Sequence, residues 1–332
     1  MLDYKTVGLT HEDLKEIYKW MLLGRKIDER MWLLNRAGKL PFVISCQGQE
    51  ATQIGTYYAL KDEDVLAPYY RDLALVTARG ISAEESMLAA FAKQGDTSSG
   101  GKQMPSHFSK KDLSILTQGS CVTTQVLHAV GASLSLKMDG KEAIALATLG
   151  EGSTSQGDFH EAMNFAGVHK LPFICIIENN KYAISVPTHL QYATNDLSSR
   201  AAGYGAFGEQ VDGNDPIAVY EAVKRARERA INGEGPTLIE ALCSRLTPHS
   251  SDDDDNYRPA DEMKEEKEND CMIKFKEYLV EHQVTNDEWF GQIEDEIKQE
   301  INTATKNAEK APYPLPEEAL THVYDQGGEK NA

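Results

Sequence analysis

Apolar positions recur at two spacings along this chain, and the change of spacing marks out its elements. After Thr10 the period is helical: Leu14, Ile17, Tyr18, Met21 and Leu22 fall at i, i+3, i+4, i+7 and i+8. Thr10 is the expected N-cap, with Asp13 three residues on as a capping-box partner, and Gly38 can close the helix. Residues 49–60 predict a second helix and 123–138 a third, turned by Asp139-Gly140. The pattern then shifts to short solid apolar runs: AIALATL (143–149), PFICIIE (172–178) and TLIEALC (237–243), with a further strand near 207–212. Runs this short and this apolar read as strands buried on both faces. Between them lie a helix from about Gly157 to Val168 and another opened by Asp215 as cap and Pro216 at its first position. Ile217, Tyr220, Val223 and Ala226 form the apolar face of the latter, and Gly233, Gly235 and Pro236 end it.

Strands alternating with helices predict an α/β fold: a doubly wound, mostly parallel sheet with helices on both faces. From Ala92 to Leu116 the chain is rich in Gly, Ser and Lys and aperiodic, so a long surface loop is expected. Beyond Pro259, EMKEEKEND and DEIKQEINTATKNAEK predict charged peripheral helices short of core residues, and GGEKNA a frayed end. The expected division is a helical arm over 1–40, an α/β domain over 41–258 and a C-terminal helical extension over 259–332 packed on the same domain.

At 332 residues and 41% hydrophobic content the chain can bury a large core. Its net charge of −18 argues against a nucleic-acid or anionic-membrane surface. MLDYKTVGLTHEDL has no basic stretch leading into an apolar one, so no signal peptide is expected, and no run approaches the roughly 20 apolar residues of a membrane span. Five scattered cysteines without a CxxC pair suit a reduced, cytoplasmic protein. The nine histidines include no HxxxH or HExxH, so zinc has no support.

The candidate chemistry lies in GEGSTSQGDFHEAMNFAGVHKLPFICIIENN, residues 150–180. Gly152 to Gly157 has the spacing of a Walker loop, but Asp158 stands where the lysine belongs and would repel phosphate. A dinucleotide fingerprint fails too, because Ser155 replaces the third glycine and Ile174 and Cys175 occupy the place of the acidic ribose ligand. A third reading is a magnesium diphosphate. Glu151 follows one predicted strand and Asn180 the next, 29 positions later, and parallel sheets bind ligands beyond the carboxyl ends of their strands. Magnesium takes six oxygens and keeps few protein ligands. Glu151, Asn180 and the carbonyl of Tyr182 would leave room for two phosphate oxygens and a water. Gly150 and Gly152 let the backbone approach the phosphates, and Ser153 can donate to them. Singly, GEG is an ordinary tight turn and Asn179-Asn180 an ordinary loop; it is their joint spacing that favours the shared ion.

Here the chain resembles the thiamine-diphosphate-dependent 2-oxo acid dehydrogenases, whose G-[DE]-G…NN motif has this spacing and context. The resemblance runs from about Leu14 to Tyr324 through RKIDERMWLLNRAGK, SCQGQEA, YYRD, GGKQMPSHF, TTQVLHAVGA, ENNKYAISVPT, VDGNDPIAVY and RLTPHSSDDDD. It is strongest to the alpha subunits of the branched-chain group, where Glu151 replaces the more usual Asp. The resemblance implies that Glu151, Asn180 and the Tyr182 carbonyl hold Mg2+, that Arg71 contacts the diphosphate with Tyr70 beside it, and that Ser120 and the Val122 backbone meet the pyrimidine side. It implies that His249 reaches the phosphate end from a loop ordered by cofactor, and that Ser250 matches a position phosphorylated in animal relatives. Phe42 falls where the family draws an apolar wall of the substrate pocket. A monovalent cation near Thr124-Gln125 stays open, since Gly119 and Cys121 depart from the usual pattern.

The implied activity is oxidative decarboxylation of a 2-oxo acid, with the acyl group passed to the lipoyl group of a separate acyltransferase. Nothing in the chain resembles the glutamate that activates the pyrimidine ring, which in heterotetrameric members comes from a homologous beta subunit. An α2β2 assembly is therefore expected. Pyruvate and acetoin dehydrogenases share most of these motifs and remain alternatives, as does a non-catalytic scaffold that binds a diphosphate.

Overall fold

The computed structural model describes residues 1–321; the expected frayed GGEKNA end lies outside them. Five parallel strands form one sheet in the order β1-β2-β3-β7-β6: β1 (Val65–Ala67), β2 (Ala145–Gly150), β3 (Phe173–Asn179), β6 (Phe207–Asp212) and β7 (Thr237–Leu242). A two-stranded hairpin, β4 (Tyr182–Ala183) with β5 (Val186–Pro187), follows β3.

The period-two alternation of β3 sorts its side chains to two cores. Ile174 and Ile176 join one buried cluster, while Phe173, Cys175 and Ile177 join the other. Helices cover both clusters, which is the doubly wound α/β arrangement expected. On the first face lie α1 (His11–Arg36), α2 (Glu50–Ala59), α3 (Leu73–Arg79), α4 (Ala83–Ala90) and α7 (Pro216–Ile231), and on the second α5 (Thr124–Met138) and α6 (Gly157–Val168). Thr10 caps α1 in a full capping box with Asp13, and Asp215 caps α7 by accepting from the amides of Ile217 and Ala218. Gly55 lets α2 cross α7 at contact distance, since a Cβ there would lie 2.5 Å from the Pro216 carbonyl oxygen.

Among the described residues three α-helices follow Pro259: α8 (Ala260–Glu268), α9 (Cys271–Glu281) and α10 (Asp287–Lys310). The expectation that this region is short of core residues fails for the last two. Phe275 and Leu279 of α9 are buried, as are Phe290, Ile293, Ile297, Ile301, Ala304 and Ala308 of α10, all in the same cluster as α1. The stripe on α10 keeps a helical period within a sequence whose charged residues outnumber its buried ones. β1, α3 and α4 lie outside the elements expected from the apolar pattern. The long 92–116 segment is a loop broken by one short 3-10 turn, and Ile115 bridges to Leu66 at the edge of the sheet.

A cavity at the carboxyl ends of the central strands

Gly150 ends β2 in register with Glu178 of β3, so Glu151 and Asn180 leave the sheet side by side. A cavity of about 380 Å³ opens there. Glu151 and Asn180 line it with Gly150, Gly152, Ser153 and Tyr182. Tyr70, Arg71, Ser120, Val122 and His249 enter from three other segments. Every residue assigned to cofactor by resemblance thus meets in one place. Phe42 does not line this cavity; it is half-buried on the segment after α1.

Glu151 is 1% exposed. Burial raises its carboxyl above the ordinary carboxylate range, against the pull of a hydrogen bond from Gln191 and the backbone amide of Asn180. Gln191 Nε2 donates to it at 3.1 Å and to the Val186 carbonyl at 2.7 Å. The Asn180 carboxamide is oriented through its Oδ1, which accepts from the Tyr182 amide at 3.3 Å. Gly152 approaches the hairpin so closely that a Cβ would lie 2.5 Å from Ala183 Cβ. Among the cavity-lining residues Glu151 is the one carboxylate. A hard cation would find there one carboxylate and one carboxamide oxygen, a sparse set of the kind magnesium accepts beside phosphate and water.

The opposite wall is cationic. Arg71 is 2% exposed, and among the described residues no carboxylate lies within ion-pair distance of it. Its sequence neighbour Asp72 does not pair with it: that carboxylate accepts from the Tyr69 amide and the Thr148 hydroxyl. Arg71 Nη1 donates to the Ser45 carbonyl at 2.6 Å, and Nη2 faces His249 Nδ1 at 3.3 Å. A guanidinium only donates, so Nδ1 must accept and the proton of a neutral His249 sits on Nε2. Burial, with Arg71 and then Arg245 as like charges, pushes His249 down to about 4. A buried guanidinium without a carboxylate partner, beside an imidazole that can take up a proton, suits a diphosphate, which would supply both charge and acceptors.

Several participants were not singled out from sequence. His107 is buried; its Nδ1 lies 3.2 Å from the Pro105 carbonyl and its Nε2 2.7 Å from Ser120 Oγ, so it orients that hydroxyl. Ile184 lines the cavity with φ +54°, a left-handed conformation that a β-branched residue adopts only under strain. The Tyr69 hydroxyl donates towards Gln49 Oε1 at 2.8 Å and Glu178 Oε2 at 3.0 Å beneath the cavity. Glu178 and Asp72 form a buried carboxyl pair, and burial, with Asp72 beside it as a like charge, pushes Glu178 well above the ordinary carboxylate range. His107 and Tyr69 lay inside the quoted motifs GGKQMPSHF and YYRD, but their roles need three-dimensional neighbours to be visible.

The sequence comparisons agree with this geometry. The family described as "Dehydrogenase E1 component" matches residues 18–317. The 2-oxoisovalerate dehydrogenase subunit alpha of Bacillus subtilis (strain 168) is 55% identical over 323 residues, 97% of this chain and 98% of that one. The pyruvate dehydrogenase E1 component subunit alpha of the same organism is 38% identical over 96% of this chain and 84% of its own. A Staphylococcus aureus (strain Mu50 / ATCC 700699) pyruvate dehydrogenase E1 component subunit alpha is also 38% identical, over 91% and 79%. With this fold and this cavity, the chain belongs to the dehydrogenase E1 component family.

Proposed function

We propose that this chain is the alpha subunit of a branched-chain 2-oxo acid dehydrogenase, 3-methyl-2-oxobutanoate dehydrogenase (2-methylpropanoyl-transferring), acting on branched-chain 2-oxo acids. The observation that carries the reading is the convergence of Glu151, Asn180, Arg71 and His249 on one cavity beyond β2 and β3. The branched-chain preference rests on the relative named for 2-oxoisovalerate, which matches at 55% against 38% for those named for pyruvate.

The family depends on thiamine diphosphate, which when bound supplies the electron sink for decarboxylation. This chain's residues bind and orient it. Glu151, Asn180 and the Tyr182 carbonyl hold a magnesium ion, while Arg71 and His249 take the diphosphate from the far side. Gly150 and Gly152 leave the backbone open to it, and Ser153 donates. Ser120, set by His107, and Val122 face the pyrimidine end, and Ile184 stands exposed at the cavity as an apolar support. Phe42 remains a proposed wall for the substrate side chain.

The single carboxylate lining the cavity is committed to the metal, so among the described residues that line it no acid is left to activate the pyrimidine. A homologous beta subunit supplies it, in an α2β2 heterotetramer docked on a lipoyl-bearing acyltransferase core. No helix among the described residues is long and apolar enough to cross a membrane, and a cytoplasmic location is proposed. The test is co-expression with a homologous beta subunit and comparison of rates on 3-methyl-2-oxobutanoate and pyruvate. Faster turnover of the branched substrate is expected, and the isolated chain should be inactive with an artificial electron acceptor. Activity of the isolated chain would refute the division of labour, and a preference for pyruvate would refute the substrate. Tighter binding of magnesium ADP than of magnesium thiamine diphosphate would favour a scaffold instead.

A further inference from the structure

Asp28 lies in the middle of α1, 0% exposed, and is absent from the cavity. A buried carboxylate is costly unless its lone pairs are used. Here they are spent on one short segment. Oδ1 accepts from Ser45 Oγ and Gln47 Nε2, both at 2.9 Å, and Oδ2 accepts from the Cys46 amide at 2.6 Å. The segment 43–48 has no regular secondary structure of its own, so these bonds fix its path.

That path touches both halves of the cationic wall. The Ser45 carbonyl holds Arg71 Nη1. The Gln47 and Gly48 carbonyls accept from the amides of Leu246 and Ser244, and Val43 exchanges hydrogen bonds with Ser251. The irregular segment 244–251 carries His249, so one brace sets the guanidinium and the imidazole relative to each other. A second anchor secures its far end: Glu50 accepts from the Gly48 amide at 2.9 Å and is held by Arg25, itself paired with Asp270 of the α9 cap.

We infer that Asp28 is a positioning residue for the diphosphate pocket, acting through the 43–48 brace on Arg71 and the His249 segment together. This rests on the reading that Arg71 and His249 bind the diphosphate. Asp28 touches neither cofactor nor substrate, so its effect belongs to cofactor affinity and to the order of the His249 segment. Outer partners of this kind commonly change affinity by about 10- to 100-fold.

The test uses the assembled complex with its beta subunit, titrated by calorimetry with thiamine diphosphate at saturating magnesium. Asp28→Asn keeps the volume but turns one of the two acceptor oxygens into a donor, so the side chain can no longer accept from Ser45, Cys46 and Gln47 as the carboxylate does. It should weaken binding roughly 10-fold or more, with little change in turnover at saturating cofactor. Ser45→Ala, a milder variant that removes one of the three bonds, should shift affinity in the same direction by less, and serves if Asp28→Asn fails to assemble. Without cofactor, trypsin should cut faster after Arg245, whose side chain is 1% exposed, and saturating cofactor should restore protection. Arg71→Ala separates the two claims. If it weakens binding while Asp28→Asn and Ser45→Ala keep parental affinity and protection, the inference is wrong and the pocket reading stands. If the unmodified complex gives no binding, or Arg71→Ala leaves affinity unchanged, the pocket reading falls and the inference with it.

Discussion

Binding of an anion beside His249 should be accompanied by proton uptake. The free imidazole is held at about 4 by burial and by the guanidinium charges of Arg71 and Arg245. At pH 6 such a group is only about 1% protonated. One negative charge about 4 Å away is worth about 4 kcal/mol at an effective dielectric of 20, or about 3 pKa units. That suffices to return the group to its ordinary value of 6.5, where it would be about 75% protonated at pH 6. Calorimetric titration in two buffers of different ionisation enthalpy should therefore report about 0.7 more protons taken up by the parent complex than by His249→Gln, the variant cancelling protons that belong to the diphosphate itself. Equal uptake in the two proteins would refute placing the diphosphate against His249. The same depressed value fixes the pH dependence without ligand. Below 6.5 the unfolded chain binds a proton that the folded one refuses, so His249 removes stability as pH falls from about 6.5 towards 4, by at most about 3 kcal/mol. His249→Gln should flatten that part of the urea-unfolding profile.

Glu151→Gln should reduce magnesium-dependent cofactor affinity by at least about 100-fold, measured by the same calorimetry. Without ligand it should be as stable as the parent or more so, because burial disfavours the Glu151 carboxylate and a neutral amide escapes that cost; a marked loss of melting temperature would contradict this. Gly152→Ala, forced against Ala183, should cost about 1–3 kcal/mol in urea unfolding and weaken cofactor binding in parallel. Unchanged affinity would mean that the glycine is not needed for close approach.

Local signals were enough for the elements that carry the motif. Thr10 with Asp13, Asp215 with Pro216, and the short apolar runs around Glu151 and Asn180 each specify a cap or a strand through neighbours a few residues away. Where the signal was thin, it was missed. The strand β1 is only three residues long, and the buried stripe of α10 is outnumbered by its charges. Ser82 with Glu85 forms a capping box at the start of α4, a local signal of the same kind as Thr10 with Asp13.

The sequence by itself determined the strand–helix alternation, the placement of a carboxylate and a carboxamide at the ends of neighbouring strands, and the family. Those depend on spacing, and spacing is a property of the chain. Only the tertiary structure decided that Arg71 is buried without a carboxylate, that His249 lies against it, that His107 holds Ser120 and that Asp28 pins the segment between them. Such contacts join residues far apart in sequence, and their energies depend on burial and neighbouring charge, which exist only once the chain has folded.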